Sequence, residues 1–254
     1  VNAVKRTFFI DAFPDSAFRH RDRDAVVCID VMLATTTLVS ASRSGRRVFV
    51  AADLPEALHL QASVPGARLA RGREIEAASA FTLTDDPRGF EGPAADPYPV
   101  VLLSPAGTTL IAHAAEAGPV FLACFRNLAA TAGALAGRQR VALLGAGHHD
   151  EWSCEDQMAA AWIAERLLAQ GFTAEDRRTE DVVRRWKGIA PGLAGWGNSA
   201  AWLRRDGRSE EVEFVMNHVD DVAWACVCEG REVRALEPLA AQAPRADRAY
   251  LSIA

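Results

Sequence analysis

Lysine is nearly missing from this sequence: Lys5 and Lys187 are the only two, so arginine supplies 26 of the 28 cations. That is a compositional habit, not chemistry. A cationic excess is missing too. The 33 acidic residues outnumber the 28 basic ones and leave a net charge of −5, which offers nucleic acid no overall basic surface. The densest basic cluster, Arg177, Arg178, Arg184 and Arg185, is interleaved with Glu175, Asp176, Glu180 and Asp181, the pattern of a solvated helix face. Paired cysteines are lacking as well. Cys28, Cys124, Cys154, Cys226 and Cys228 are odd in number, and Cys226-x-Cys228 has neither zinc-site nor thioredoxin spacing, so no disulfide scaffold is expected and a reducing cytoplasm is. No long apolar run exists. Lys5, Arg6, Asp11 and Asp15 break up the start, so no signal peptide is expected there, and the longest uncharged stretch, 97–115, carries Pro99, Pro105 and Gly107. A soluble protein with no membrane contact follows.

What the 254 residues do contain is enough apolar material, 50%, for a large core, which excludes a disordered or low-complexity chain. From Ala25 onward one phrase recurs: a short apolar, β-branched run, a polar or glycine turn, then a helical stretch ending at glycine. Strands are expected at 25–29, 47–51, 99–103, 120–124 and 141–144. Helices are expected at 37–44, from a capping box at Asp53 and Glu56, at 108–117, from an Asn127 cap to 136, and from a Ser153 cap to 170 with Gly171 behind it. Such alternation implies an α/β fold, three layers α/β/α around a largely parallel or mixed sheet. The last third differs: a charged helix at 175–187, a Gly/Trp-rich loop at 191–197, a short helix near 198–203, and a strand pair, 222–228 and 232–236, around Glu229 and Gly230. The segment 72–96 lacks periodicity and reads as a lid or substrate loop. The whole, 1–254, reads as one domain or as two lobes dividing near 171, with a loosely held tail from 240 to 254.

Three segments carry candidate chemistry. Asp30-Val31-Met32-Leu33-Ala34-Thr35-Thr36-Thr37 puts a carboxylate at a strand end and three hydroxyls at a helix start, where α/β sheets bind ligands and helix N-termini bind anions. Capping and turn formation explain the same residues equally well. Ser104-Pro105-Ala106-Gly107-Thr108-Thr109 repeats the arrangement, with Gly107 allowing close backbone approach, but no Walker lysine follows. In the third, Gly145-Ala146-Gly147 leads through His148, His149, Asp150 and Glu151 to Ser153, Glu155 and Asp156. Glu155 and Asp156 suit a helix's first turn; together with Asp30 they also suit Mg²⁺, which takes oxygen ligands, better than the two histidines suit zinc. No G-x-S-x-G elbow is present, and the Gly145/Gly147 pair lacks the third glycine of a dinucleotide fingerprint.

Together these segments resemble the 2-phosphosulfolactate phosphatase family. Its Asp-Val-Leu-Arg-Ala-Thr-Thr-Thr-like motif, Asn-Gly-Thr-Arg-like turn, Ser-Phe-x-Asn-like strand end and Ser-x-Glu-Asp helix start match Asp30 to Thr37, Ala106 to Thr109, Cys124 to Asn127 and Ser153 to Asp156, in order. The resemblance runs from about Ala25 to Pro238. It implies a Mg²⁺-dependent phosphohydrolase of a small phosphorylated sulfo-hydroxyacid on the route to coenzyme M. Asp30, Glu155 and Asp156 are then the catalytic and metal-holding carboxylates. Thr35, Thr36, Thr37, Gly107, Thr108, Arg126, Asn127 and Gly147 are the substrate-binding set, and a homodimer is left open. Three departures stand out: Leu33 and Thr109 where the family has arginine, and Thr84-Asp85-Asp86-Pro87 for a Gly-Asn-Ser-Pro-like stretch. They point to a changed substrate, with Arg126 taking over one anion contact. The contrasting reading is a catalytically weak relative that binds a small anion or a protein partner.

Overall fold

In this computed structural model residues 5–72, 75, 79–95, 97–147 and 151–236 are described. His148, His149, Asp150 and the expected 240–254 tail lie outside them. The first half of the chain contributes β1 (Thr7–Ala12), α1 (Ser16–Arg19), β2 (Ala25–Ile29), α2 (Ala34–Ala41), β3 (Val48–Ala51), α3 (Leu54–Ser63), β4 (Arg68–Arg71), β5 (Phe81–Thr84), β6 (Val100–Leu103) and α4 (Gly107–Ala115). The second half contributes β7 (Val120–Ala123), α5 (Leu128–Ala134), β8 (Arg140–Gly145), α6 (Cys154–Ala169), β9 (Thr173–Ala174), α7 (Arg177–Trp186), α8 (Asn198–Arg205), α9 (Ser209–Asn217), β10 (Cys226–Glu229) and β11 (Glu232–Ala235).

The strands form one 11-stranded mixed sheet in the order β5-β4-β6-β3-β11-β10-β7-β2-β8-β1-β9. Its left four and right five strands pair in parallel, whereas the β10–β11 hairpin pairs antiparallel to both β3 and β7. Three successive antiparallel pairings reverse direction three times, so the two parallel blocks run in opposite senses. The hairpin turns at Gly230, whose φ of +61° a side chain would resist.

Period-two alternation splits each strand between two helical layers. Val26 and Cys28 of β2 face α2 and α4, within a cluster that continues across both blocks through Val48, Val50, Leu102 and Cys226. Val27 and Ile29 face the opposite layer, where Met158, Ile163 and Leu167 of α6 cover the right block. Phe49, Leu69 and Val101 pack with Ala57 of α3 over the left block. α6 lies within a residue of its expected ends, and Gly171 behind it has φ +86°.

Several expectations need correction. α2 begins at Ala34, three residues before the expected start, so Thr35 to Thr37 lie inside its first turn. Asn127 and Ser153 stand at helix starts, but neither side chain makes a capping hydrogen bond. At α3 the box is offset: Asp53 accepts the Glu56 N–H at 2.8 Å, while Glu56 reaches back to Ala52 N, not to Asp53. The 72–96 segment, expected as an aperiodic lid or substrate loop, carries a strand among its described residues. β5 pairs with β4 in it, and Asp85 and Phe90 are buried.

Candidate functional site

The β2–α2 turn is tied by its own threonines. Thr35 Oγ1 accepts the Asp30 N–H at 3.0 Å and donates to the Asp30 carbonyl at 2.7 Å; Thr36 Oγ1 donates to the Val31 carbonyl at 2.7 Å. Thr37 Oγ1 donates to the carbonyl of Asp85 and so ties α2 to the segment after β5. All three hydroxyls are buried and fasten backbone, and none lines the cleft described below. What the segment offers the cleft is the Asp30 carboxylate with Met32 and Leu33.

β6–α4 uses the same device one residue shorter. Thr108 Oγ1 accepts the Ser104 N–H and donates to the Ser104 carbonyl, both at 2.9 Å. This brings the start of α4 against Asp30. A Cβ on Gly107 would lie 2.0 Å from Asp30 Oδ2 and 2.6 Å from the Ala34 methyl, so only glycine permits the approach. The first N–H groups of a helix have no partner within it and carry partial positive charge. A carboxylate and an anion-attracting helix end therefore share one corner.

The β8–α6 segment closes the third side. Asp156 Oδ1 accepts the Val31 N–H at 2.9 Å and Oδ2 accepts the Gly147 N–H at 3.2 Å, so one side chain clamps two loops. Gly147 has φ +72°, and a Cβ there would meet the Phe13 ring and the Glu151 carbonyl at 2.9 Å. Burial, and then the Asp30 and Glu155 carboxylates, push Asp156 well above the ordinary carboxylate range. Glu155 is 1% exposed, accepts from the Cys154 thiol at 3.3 Å and is backed by Gly197, whose Cβ would crowd that thiol at 2.4 Å.

These elements open into one cleft lined by Asp30, Leu33, Ser104, Ala106 and Gly147 together with residues that sequence reasoning missed: Ser199, Trp202 and Leu203 of α8, and Arg208. Asp85, noted before only as a departure, also lines it. No signal singled out Arg208 from 26 arginines. Arg126 and Asn127 are elsewhere. Arg126 is buried and bonded to Asp221 at 2.6 Å, to Ser40 at 2.7 Å and to Glu91. Asn127 accepts the Cys124 N–H and donates to the Leu122 carbonyl, both at 3.0 Å. Their side chains hold the end of β7, which leaves Arg208 as the cation in the cleft lining among the described residues.

Among the described residues no group of three or more His, Cys, Asp or Glu side chains is arranged to hold a metal ion. The Asp30 and Glu155 carboxylates act on Asp156 in a buried setting, and both Asp156 oxygens already accept backbone N–H groups. Mg²⁺ commonly takes one or two protein carboxylates and completes its shell with water and substrate phosphate, so these residues suit an open site and not a closed protein cage.

The family model described as 2-phosphosulpholactate phosphatase matches residues 12–222. A Deinococcus radiodurans protein named "Probable 2-phosphosulfolactate phosphatase" is 33% identical over 212 residues, covering 81% of this chain and 86% of the relative. Relatives of the same name from Symbiobacterium thermophilum and Synechococcus sp. are 28% and 26% identical. The first covers 74% of this chain and 84% of the relative, the second 89% and 90%.

Proposed function

We propose, from the premise that this chain belongs to the 2-phosphosulfolactate phosphatase family, that its cleft hydrolyses a small phosphate monoester. One observation carries the reading: Gly107 lets the N-terminus of α4 come against the Asp30 carboxylate inside the cleft. Helix N–H groups seat the phosphate, and Asp30 stands beside it to orient or deprotonate the attacking group. Asp156 holds the Asp30 and Gly147 loops in register through Val31 N–H and Gly147 N–H.

The Asp30 carboxylate in the cleft lining repels a phosphate dianion, which supports a requirement for a cation. Asp30 and Asp156 are the residues that would hold Mg²⁺, and the ion supplies charge neutralisation at the phosphate oxygens. The substrate differs from 2-phosphosulfolactate in this reading. Leu33 presents an apolar wall in the cleft, and Thr109 turns its hydroxyl to the Ala52 carbonyl at 3.2 Å. Five unpaired thiols support a reducing, cytoplasmic setting.

A second reading, a weak relative that binds a small anion, draws on the pairing of Arg208 with Asp85 and Glu211. Release of inorganic phosphate from a panel of phosphorylated hydroxyacids, with and without Mg²⁺, separates the two. Turnover that disappears on chelation and returns with Mg²⁺ is expected. A folded protein silent on every ester favours the weak binder.

A further inference from the structure

A second groove, of about 680 Å³ and sharing no lining residue with the cleft, runs between α7 and Trp152. Its size is that of a small-molecule site. Arg178, Val182 and Arg185 recur along one face of α7, with Arg177 beside the first of them. Arg178 and Arg185 are seven residues apart, roughly 10 Å along the helix axis. Val182 is a buried apolar floor, and the half-buried Trp152 ring has the Arg178 guanidinium 4.8 Å from its centre.

The nearby carboxylates are engaged elsewhere. Asp181, the one acid of the described lining, accepts from Arg184 at 2.7 Å, and Asp176 caps α7 through the Thr179 N–H at 2.8 Å. Asp11 accepts from Arg19 and lies 3.9 Å from Arg178; Glu151 accepts from Asn198 at 3.0 Å. Arg177 and Arg185 meet no acceptor among the described residues. Asp150, outside those residues, brings a single charge and cannot balance three guanidiniums. Gln157 adds a donor, because its carbonyl already accepts the Trp186 indole N–H at 3.1 Å.

We propose that this groove is a second ligand site, taking a short chain of linked phosphates. The lining is rich in donors and its one described carboxylate is spent, so it suits a ligand that brings acceptor oxygens on every side. Guanidinium forks take phosphate oxygens two at a time. A lone phosphate reaches one end of the groove, whereas a chain engages Arg177 and Arg178 at one end and Arg185 at the other. Nothing in this site depends on turnover in the cleft, so it stands apart from the phosphatase reading.

Calorimetric titration of the full chain with inorganic tripolyphosphate, at low salt and free of divalent cations, tests it. The wild type should bind tripolyphosphate at least about 10-fold more tightly than orthophosphate. Arg178→Gln/Arg185→Gln should weaken tripolyphosphate at least about 10-fold. Arg21→Gln/Arg138→Gln removes the same two charges from exposed positions elsewhere and should stay within about threefold. Should the groove double variant fail to fold, Arg185→Gln alone strands no partner and should still weaken binding by about threefold or more. Trp152→Phe keeps an aromatic wall but should abolish the change in indole emission on binding. ATP carries the same three linked phosphates and separates the sources. Affinity equal to or below that of tripolyphosphate identifies the bare chain as the ligand, and a gain of about 10-fold identifies a nucleotide whose base stacks in the groove. Unchanged binding in the groove variants would place the anion elsewhere, the cleft included, and equal losses in both double variants would show only overall charge at work. Either result, orthophosphate binding as tight as tripolyphosphate, or no binding to the wild type, overturns the proposal.

Discussion

The Asp30 carboxylate occupies the space in which a side chain on Gly107 would begin, with Oδ2 2.0 Å from that Cβ position. The relation is steric, since Gly107 has no left-handed φ to lose. Gly107→Ala therefore has to displace either Asp30 or the start of α4. We expect a loss of about 1–3 kcal/mol in stability, the usual cost of overpacking, and a larger proportional loss of phosphate release. Gly133→Ala is the control: it sits in α5 with nothing within 4 Å of its Cβ, so it should gain about 0.5–1 kcal/mol. Thermal unfolding of the two variants, with opposite signs expected, checks the argument.

Asp30 and Asp156 should respond differently to the same substitution. Both Asp156 oxygens accept backbone N–H groups from separate loops, and an amide supplies only one acceptor, leaving an N–H facing an N–H. Asp156→Asn should thus cost about 1–3 kcal/mol of stability as well as activity. Asp30→Asn and Glu155→Gln should keep the unfolding midpoint near wild type and lower kcat at least about 100-fold. Urea melts and phosphate-release assays on the three variants separate the roles. If Asp30→Asn turns over at the wild-type rate, Asp30 takes no part in the chemistry.

Much of this frame is visible in local pattern, and what is not has a physical reason. The runs at β2, β6, β7 and β8 are continuous and buried on both faces, so composition alone reveals them. β1 is hidden in the sequence because Asp11 interrupts its apolar run, yet it is a buried carboxylate that Arg19 and His20 of the α1 end satisfy. β4 offers only Leu69 and Ala70 between two arginines. The β10–β11 pair is legible, but its insertion between β3 and β7 depends on pairings across more than a hundred residues, which no local period encodes. The cleft is legible from the side of Asp30, Gly107 and Asp156, whose turns announce strand ends. It is illegible from the side of Ser199, Trp202 and Arg208, because α8 and α9 reach it through tertiary packing alone.

Asp11 also sets an acid limit on stability. Burial pushes its carboxyl up, but hydrogen bonds from His20, Arg19 and the Ala12 N–H outweigh this and hold it at about 2. Arg178 adds a longer contact at 3.9 Å. A depressed folded value means the stabilisation is complete above the unfolded value near 4 and is lost as pH falls towards 2, on the order of 2 kcal/mol in all. Between pH 4 and pH 2 the wild type should therefore lose about that much more unfolding free energy than Asp11→Asn. Urea midpoints across this range test it, and parallel pH curves for the two proteins would exclude the effect.

The two positions where the family carries arginine are not equivalent here. Leu33 is 3% exposed and lines the cleft between Asp30 and the α8 residues. Thr109 is bonded to the Ala52 carbonyl and is not part of the lining. A guanidinium introduced at position 33 therefore enters the space where a substrate's acid groups must sit, adding a cation to a cleft whose Arg208 is already paired. One added at position 109 has to leave the Ala52 carbonyl before it meets any ligand. A charge-assisted contact is worth about 1.5–3 kcal/mol, or roughly one to two decades in kcat/KM. We accordingly expect the wild type to hydrolyse 2-phosphosulfolactate poorly, Leu33→Arg to raise its kcat/KM by about 10- to 100-fold, and Thr109→Arg alone to raise it by less than about threefold. Steady-state kinetics on 2-phosphosulfolactate and 2-phospholactate with the three proteins decide the matter. Efficient turnover of 2-phosphosulfolactate by the unmodified chain would refute the altered specificity, and an equal gain from both variants would refute the distinction between the two positions.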